Sequence, residues 1–168
     1  TRPYKFGFDE YCLWQLTKTK DFGERFANPL IEQNGKFLDR NKDLYGPDIV
    51  SDYAVDFIQR NKEKPFFLYY PMLLVHDPFV PTPDSDEWNN PDLRYKKNNI
   101  FFKDMVEYMD KIVGKIIQEI KAQGLEDNTL IIFLGDNGTN RTLVTKTVNG
   151  DVKGAKGNTI THGVHVPM

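Results

Sequence analysis

The sequence has little of several features that would assign it at once to a specialised class of protein. It contains one cysteine, Cys12, so no disulfide can form within the chain. This scarcity leaves the compartment open, because many exported proteins also lack disulfides. The longest apolar run, around residues 66–75, is interrupted by Pro71. The run falls short of the roughly 20 residues that a membrane-spanning helix needs, and no signal peptide is visible at Thr1.

The chain also lacks a large excess of either charge, internal repeats and low-complexity segments. Lys and Arg number 22 and Asp and Glu number 24, which gives a net charge of −2 at pH 7. This balance argues against a nucleic-acid-binding protein that relies on bulk positive charge. Hydrophobic residues make up 39% and charged residues 27% of the sequence, which are ordinary values for a globular protein. A length of 168 residues is enough for one domain with a hydrophobic core.

A helix followed by a strand is predicted between residues 47 and 70. Pro47 marks the helix start, because proline is favoured in the first turn. Ile49, Tyr53 and Phe57 recur every four residues, which gives the helix one apolar face. The helix is expected to end near residues 61–62, and the apolar segment Phe66–Tyr70 is predicted to be a strand.

A second helix-then-strand step is predicted between residues 98 and 134. The apolar face of the helix over 98–122 is formed by Phe102, Met105, Met109, Ile112, Ile116 and Ile120. Gly124 is suited to cap its end, and Thr129–Leu134 reads as a buried strand, because it is uncharged and mostly β-branched, aromatic or aliphatic. Two such steps in succession predict an α/β fold with a mostly parallel sheet flanked by helices.

A polar turn follows the second predicted strand, with Asp136 and Asn137 between two glycines. In open α/β sheets, ligands bind at the carboxyl ends of the strands, so these side chains stand where chemistry is usually done. Carboxylate and amide oxygens are hard donors, which suit calcium or magnesium better than zinc. The alternative is a plain turn, because Asn-Gly is a common turn dipeptide.

Two further side chains lie in loops that suit a functional site. His76 lies in a proline-rich loop after the first predicted strand, and its ring can act as an acid or a base near neutral pH. Lys156 lies in a loop with glycines on both sides, after a hairpin predicted over residues 145–153. A lysine in such a loop can approach an anion. The alternatives are a structural histidine and a solvated loop lysine.

Four stretches, in order along the chain, resemble the sulfatase family of the alkaline phosphatase superfamily. They are Gly7–Tyr11, Lys64–Tyr70 with His76–Pro78, Thr129–Gly138, and Lys153–Thr159 with Gly163–Pro167. Together they cover most of the chain. The resemblance implies that residues 1–168 are a single partial sulfatase catalytic domain, an internal piece without the amino-terminal nucleophile region and the carboxyl-terminal part.

The resemblance also implies an activity and a role for each of the four residues. The parent protein is expected to be an arylsulfatase-like sulfuric ester hydrolase that uses calcium. Asp136 and Asn137 match calcium ligands of the family, whose zinc-using relatives tend to have Asp-His at this place. His76 and Lys156 match the catalytic, substrate-binding residues that contact the sulfate, and His76 is expected to protonate the leaving oxygen.

The nucleophile of the family is a formylglycine, which is made from the cysteine of a Cys-x-Pro-x-Arg type of motif. Cys12 is followed by Leu-Trp-Gln-Leu and does not match that motif. The formylglycine is therefore expected upstream of Thr1, and this chain alone is expected to be inactive. The sequence also departs from the family pattern at His162, where an acidic-glycine pair is common, and at His165, where arginine is common. A zinc site built from these histidines and His76 is a weak alternative.

The expected partner is a sulfated small molecule or carbohydrate, with no nucleic acid and no membrane span, and the sequence leaves the oligomeric state open. A secreted or periplasmic location follows from the family only. Two alternative functions remain. The parent protein could be a phosphodiesterase, phosphonate hydrolase or phosphotransferase of the same superfamily. It could also be a sulfatase-like binding or structural module without catalysis.

Overall fold

The computed structural model describes residues 2–14, 24–39 and 43–167. The chain divides into two compact units, Thr1–Asp127 and Asn128–Met168. The first unit contains two long helices and a small sheet, and the second contains a hairpin and a short helix. None of the described helices is both long enough and apolar enough to cross a membrane.

The sheet of the first unit has three short antiparallel strands in the order β1-β2-β3. They are β1 (Cys12–Trp14), β2 (Ile31–Gln33) and β3 (Lys36–Phe37). The turn between β2 and β3 has positive φ angles at Asn34 (50°) and Gly35 (87°). Two successive positive φ angles are typical of the tight turn that matches the twist of a two-residue hairpin, and Asn-Gly is the preferred dipeptide there.

Both predicted helices of the first unit are confirmed. They are α1 (Gly46–Asn61) and α2 (Phe101–Ala122), and short 3-10 helices occur at Pro3–Phe6, Asp86–Asn89 and Glu126–Asn128. The buried side of α1 is centred on Val50, Ala54 and Ile58. Each of them directly follows a residue of the predicted apolar face, which was Ile49, Tyr53 and Phe57. The buried residues of α2 are Phe101, Met105, Tyr108, Ile112 and Ile120.

A buried hydrogen bond and a surface ion pair join α1 to α2. The Tyr108 hydroxyl contacts both carboxylate oxygens of Asp48 at 2.9 Å. Burial raises the pKa of Asp48, and the hydrogen bond from Tyr108 opposes that shift. The Lys115 ammonium pairs with Asp52 and lies 3.2 Å from the Ser51 hydroxyl. The two helices are therefore fixed in register by polar contacts as well as by apolar packing.

The second unit contains an antiparallel hairpin of β4 (Val144–Thr147) and β5 (Gly150–Lys153), followed by the short helix α3 (Thr161–Val164). The hairpin predicted over residues 145–153 is confirmed. The α/β class is confirmed as well, since helices and sheets occur together, although the sheets are small.

The two apolar segments predicted as strands, 66–70 and 129–134, have no backbone ladder in the described part of the chain. The three ladders of the described strands are antiparallel. Several side chains of the two segments are exposed, including Phe67 at 75%, Leu130 at 86% and Ile132 at 64%. A parallel strand needs neighbouring strands at its edges as well as helices over its faces, and neither segment has a neighbouring strand among the described residues.

Truncating a core residue of α1 tests the packing of the first unit. Ile58 is 0% exposed, so we expect Ile58→Ala to lower the free energy of unfolding by about 2–5 kcal/mol. The matched control is Gln59→Ala, because Gln59 is the exposed neighbour on the same helix, and its effect should stay within about 0.5 kcal/mol. Urea unfolding followed by circular dichroism measures both, and equal losses would contradict the assigned core.

Candidate functional site

The turn of Asp136 and Asn137 is held by the segment near the end of the second unit. The Gly135 N–H donates to the Pro167 carbonyl, and the Gly138 N–H donates to the Gly163 carbonyl, each at 3.0 Å. A Cβ atom on Gly138 would lie 2.2 Å from the His162 carbonyl oxygen. Only glycine permits so close an approach of two backbones. The backbone on both sides of the turn is thus fixed.

The side chains of Asp136 and Asn137 are exposed. Among the described residues, neither side chain has a hydrogen-bond or ion-pair partner. Their oxygens are therefore available to solvent or to a cation. Calcium takes roughly six to eight oxygen ligands, so this pair can supply part of a coordination sphere. Within residues 2–14, 24–39 and 43–167, no group of three or more His, Cys, Asp and Glu side chains could hold a metal by itself.

The loop of Lys156 is attached to the chain just after that turn. The Lys156 N–H donates to the Thr139 carbonyl at 3.0 Å. The Arg141 guanidinium donates from Nε to the Lys156 carbonyl at 2.6 Å and from Nη2 to the Asn158 side-chain oxygen at 3.3 Å. Gly157 has a φ of +84°, and a Cβ atom there would lie 2.8 Å from Arg141 Nη2. The loop is thus shaped by backbone bonds and one arginine.

The Lys156 ammonium has no ion-pair partner among the residues that the structure describes. Its side chain is half-buried. Other lysines of the described chain do make ion pairs, as Lys111 does with Asp84 at 2.8 Å. The second unit therefore combines a turn that offers oxygen donors with an unpaired cation, the two features that a site for a metal-bound anion requires.

His76 belongs to the first unit. Its ring Nδ1 lies 2.7 Å from the carbonyl oxygen of Asp77 and 3.4 Å from Asp77 Oδ1. Because a carbonyl oxygen only accepts hydrogen bonds, Nδ1 carries the proton and donates it to Asp77. The ring is about half exposed, which leaves Nε2 open. Of the four predicted site residues, Asp136, Asn137 and Lys156 share one compact unit and His76 lies in the other.

The sequence did not single out three residues that support this site. The sequence gives no signal for Asp77 beyond its position next to His76, because its contact with the ring depends on the conformation of the loop. Arg25 lies with its guanidinium carbon 4.5 Å from the ring centroid of Trp14. Burial lowers the pKa of Arg25, and the nearby Asp77 carboxylate opposes that shift. Arg141 carries no sequence signal, because its partners lie fifteen and seventeen residues further along.

Cys12 is not suited to nucleophilic chemistry. It is 6% exposed, in the core cluster with Ile31 and Val50. Burial raises the pKa of its thiol to about 12, so the reactive thiolate is scarce at neutral pH. Cys12 is therefore a small buried residue of the core.

Comparisons with known proteins agree on one family. A family model described as "Sulfatase" matches residues 1–168. Arylsulfatase D from Homo sapiens is 34% identical over 135 residues, which cover 76% of this chain and 20% of that protein. An N-acetylgalactosamine-6-O-sulfatase from Bacteroides thetaiotaomicron is 35% identical over 91 residues, which cover 54% of this chain and 16% of that protein.

A solved structure is also similar over nearly the whole chain. The crystal structure of Ps i-CgsB in complex with k-i-k-neocarrahexaose has a TM-score of 0.70 and 27% sequence identity, and the match covers 99% of this chain and 40% of that one. The chain spans about a fifth of the length of the first curated relatives it matches (16%, 19% and 20%).

Removing the arginine that holds the lysine loop should loosen that loop. We expect Arg141→Leu to speed amide hydrogen exchange at Lys156 and Asn158 roughly tenfold, because a hydrogen bond from a charged donor contributes about 1.5–3 kcal/mol. Lys146→Leu is the matched control, since it removes an exposed cation from β4 of the same unit. Exchange measured by NMR or mass spectrometry tests this, and identical rates in the two variants would show that Arg141 does not support the loop.

Proposed function

This chain belongs to the sulfatase family, and we propose that the whole protein hydrolyses sulfate esters of a carbohydrate or an aryl compound. The resemblance noted in the sequence is thereby confirmed, and sulfate-ester hydrolysis is the activity that the named relatives share at the family level. The observation that carries the proposal is the clamped turn of Asp136 and Asn137, with free side-chain oxygens, in one compact unit with the unpaired ammonium of Lys156.

A sulfated carbohydrate is the favoured substrate class. One matching structure holds a neocarrahexaose, and one relative is named for a sulfated amino sugar. In our proposal, residues 1–168 contribute part of one catalytic domain, and the protein acts in a secreted or periplasmic setting. The nucleophile is a formylglycine located outside these residues, because the only cysteine here, Cys12, is buried and its raised pKa keeps it protonated.

Calcium is the proposed cofactor, held in part by the Asp136 carboxylate and the Asn137 amide oxygen. Two hard oxygen donors on a fixed turn fit calcium better than zinc. A bound divalent cation supplies charge that stabilises the sulfate oxygens. The two donors are exposed and have no other partner in the described part of the chain, so binding the ion breaks no existing contact.

Lys156 and His76 have different proposed roles. The Lys156 ammonium balances negative charge on the sulfate, which is most useful where charge develops in the transition state. His76 donates a proton from Nε2 to the departing oxygen. Its Nδ1–H is occupied by the Asp77 carbonyl at 2.7 Å, which holds the ring orientation and leaves Nε2 for the substrate.

Loss of the carboxylate charge tests the calcium site. We expect Asp136→Asn in the whole protein to weaken calcium binding at least about tenfold, the lower end of the losses seen even for residues that only support a metal ligand. Asp151→Asn is the matched control, because it removes an exposed carboxylate from β5 of the same unit. Calorimetric titration with calcium measures both. Wild-type affinity in Asp136→Asn would rule out this residue as a ligand.

A comparison of two substrates with different leaving groups tests the role of His76. We expect His76→Ala to lower kcat by about 10²–10⁴-fold on a sulfated sugar, because an alkoxide leaves poorly without a proton. The loss should be much smaller on para-nitrophenyl sulfate, whose phenolate leaves readily. Lys156→Met serves as the comparison, since loss of a charge-balancing group should slow both substrates similarly. An equal loss on both substrates in His76→Ala would contradict proton donation.

A further inference from the structure

The second unit has an open groove of about 270 Å³ beside the clamped turn. It is lined on one side by the hairpin and on the other by the segment around α3. The lining residues that matter here are Asn137, Thr145, Val152, Thr161, His162 and His165. Because Asn137 belongs to both, the groove is continuous with the turn proposed to hold calcium.

One face of the hairpin supplies the first wall. Thr145 pairs directly with Val152, and Lys146 pairs with Asp151. Paired residues of antiparallel strands lie on the same face, and neighbours along a strand alternate between faces. The hydroxyl of Thr145 and the apolar side chain of Val152 therefore share a face that lines the groove, and the pair of Lys146 and Asp151 lies on the opposite face. Lys153, at the end of β5, also lines the groove and adds a cation to this wall.

The second wall, around α3, carries polar side chains that have no partner in the described part of the chain. In the described part of the chain, the side chains of Thr161, His162 and His165 make no hydrogen bond and no ion pair, and the same holds for Thr145. None of the residues that line the groove is acidic. An anion would therefore meet hydroxyl and imidazole groups without repulsion from a carboxylate.

The size and lining of the groove select among ligands. Sites that enclose a drug-sized ligand have roughly 300–1,000 Å³, so a groove of about 270 Å³ suits one ring. No aromatic ring of Phe, Tyr or Trp lines it, so an aryl group has no such face to stack on. Hydroxyls and imidazoles match a ring that carries several hydroxyls and a negative group, and Val152 offers an apolar contact for its C–H face.

We propose that this groove binds one sugar ring of an anionic, sulfated oligosaccharide next to the ester that is cleaved. The inference rests on the proposed sulfatase function and assigns residues that would bind the sugar of its favoured substrate class. Thr145 and Thr161 hydrogen-bond sugar hydroxyls, and His162 and His165 contact a sulfate or carboxylate group of the same ring. These four residues determine specificity and take no part in breaking the ester bond.

Binding of the whole protein to an array of sulfated galactan and glycosaminoglycan oligosaccharides tests the inference. We expect wild type to bind sulfated members of the array, and His162→Ala/His165→Ala to weaken that binding at least tenfold. Thr145→Val, which keeps shape and strand preference, should weaken it roughly threefold to tenfold through one lost hydrogen bond. Lys146→Gln, on the opposite face of the hairpin, should bind like wild type.

Hydrolysis of para-nitrophenyl sulfate by the same proteins separates the two proposals. We expect Lys146→Gln to hydrolyse this small substrate, which does not fill the groove, at the wild-type rate, and Thr145→Val to lose more activity on a sulfated oligosaccharide than on this substrate. If the protein hydrolyses para-nitrophenyl sulfate but binds no sulfated member of the array, the groove proposal is wrong and the sulfatase function stands. The same holds if Thr145→Val and His162→Ala/His165→Ala bind the array as well as wild type does. Groove-dependent binding without turnover of any sulfate ester would support the sugar site and overturn the hydrolytic function.

Discussion

The second unit depends on one constraint, the close approach of the backbone at Gly138 to the backbone at His162 and Gly163. No side chain fits between them, since a Cβ on Gly138 would lie 2.2 Å from the His162 carbonyl oxygen. The hydrogen bond from Gly138 to Gly163, at 3.0 Å, holds the two segments together. Asp136 and Asn137 sit on one of these segments and His165 follows the other. One backbone contact therefore positions both the candidate metal ligands and part of the groove.

Because backbone contacts hold the turn, the side chains of Asp136 and Asn137 make no hydrogen bond or ion pair with the described residues. The lysine loop follows the same rule, because the Lys156 N–H bonds the Thr139 carbonyl and Arg141 bonds the Lys156 carbonyl. The backbone is fixed while the Lys156 ammonium stays unpaired in the described part of the chain. A site whose donors are held in place before the ligand arrives loses less entropy on binding.

The first unit supports its histidine differently, by burying the chain on one side of it. Phe79 and Thr82, shortly after His76, are 4% and 0% exposed. The Ser85 hydroxyl donates to the Asp104 carboxylate on α2 at 2.6 Å, which anchors the end of the loop to a helix. This proline-rich loop is therefore partly buried. His76 itself stays half exposed.

The features that could be predicted from the sequence are those that depend on local periodicity or turn chemistry. The apolar spacing predicted α1 and α2. The dipeptide Asn149-Gly150 indicated the hairpin, although Gly150 itself pairs with Thr147, so that the loop residues are Val148 and Asn149. The ladders expected at 66–70 and 129–134 depend on partner strands far away in sequence, so an apolar run alone could not specify them. Contacts of Arg141 and Asp77 depend on the path of the loops, which no pattern of residue types encodes.

The charge of the lysine loop is not used by the fold. Some cations of the described chain pair with nearby carboxylates, as Arg60 does with Glu10 at 2.9 Å and Lys121 does with Glu126 at 3.0 Å. Lys156 makes no ion pair with the acidic residues that the structure describes, although its loop is held by the Thr139 carbonyl and by Arg141. An unpaired cation on a fixed loop adds little to the stability of the fold, and it stays available for the anion that the proposed function requires.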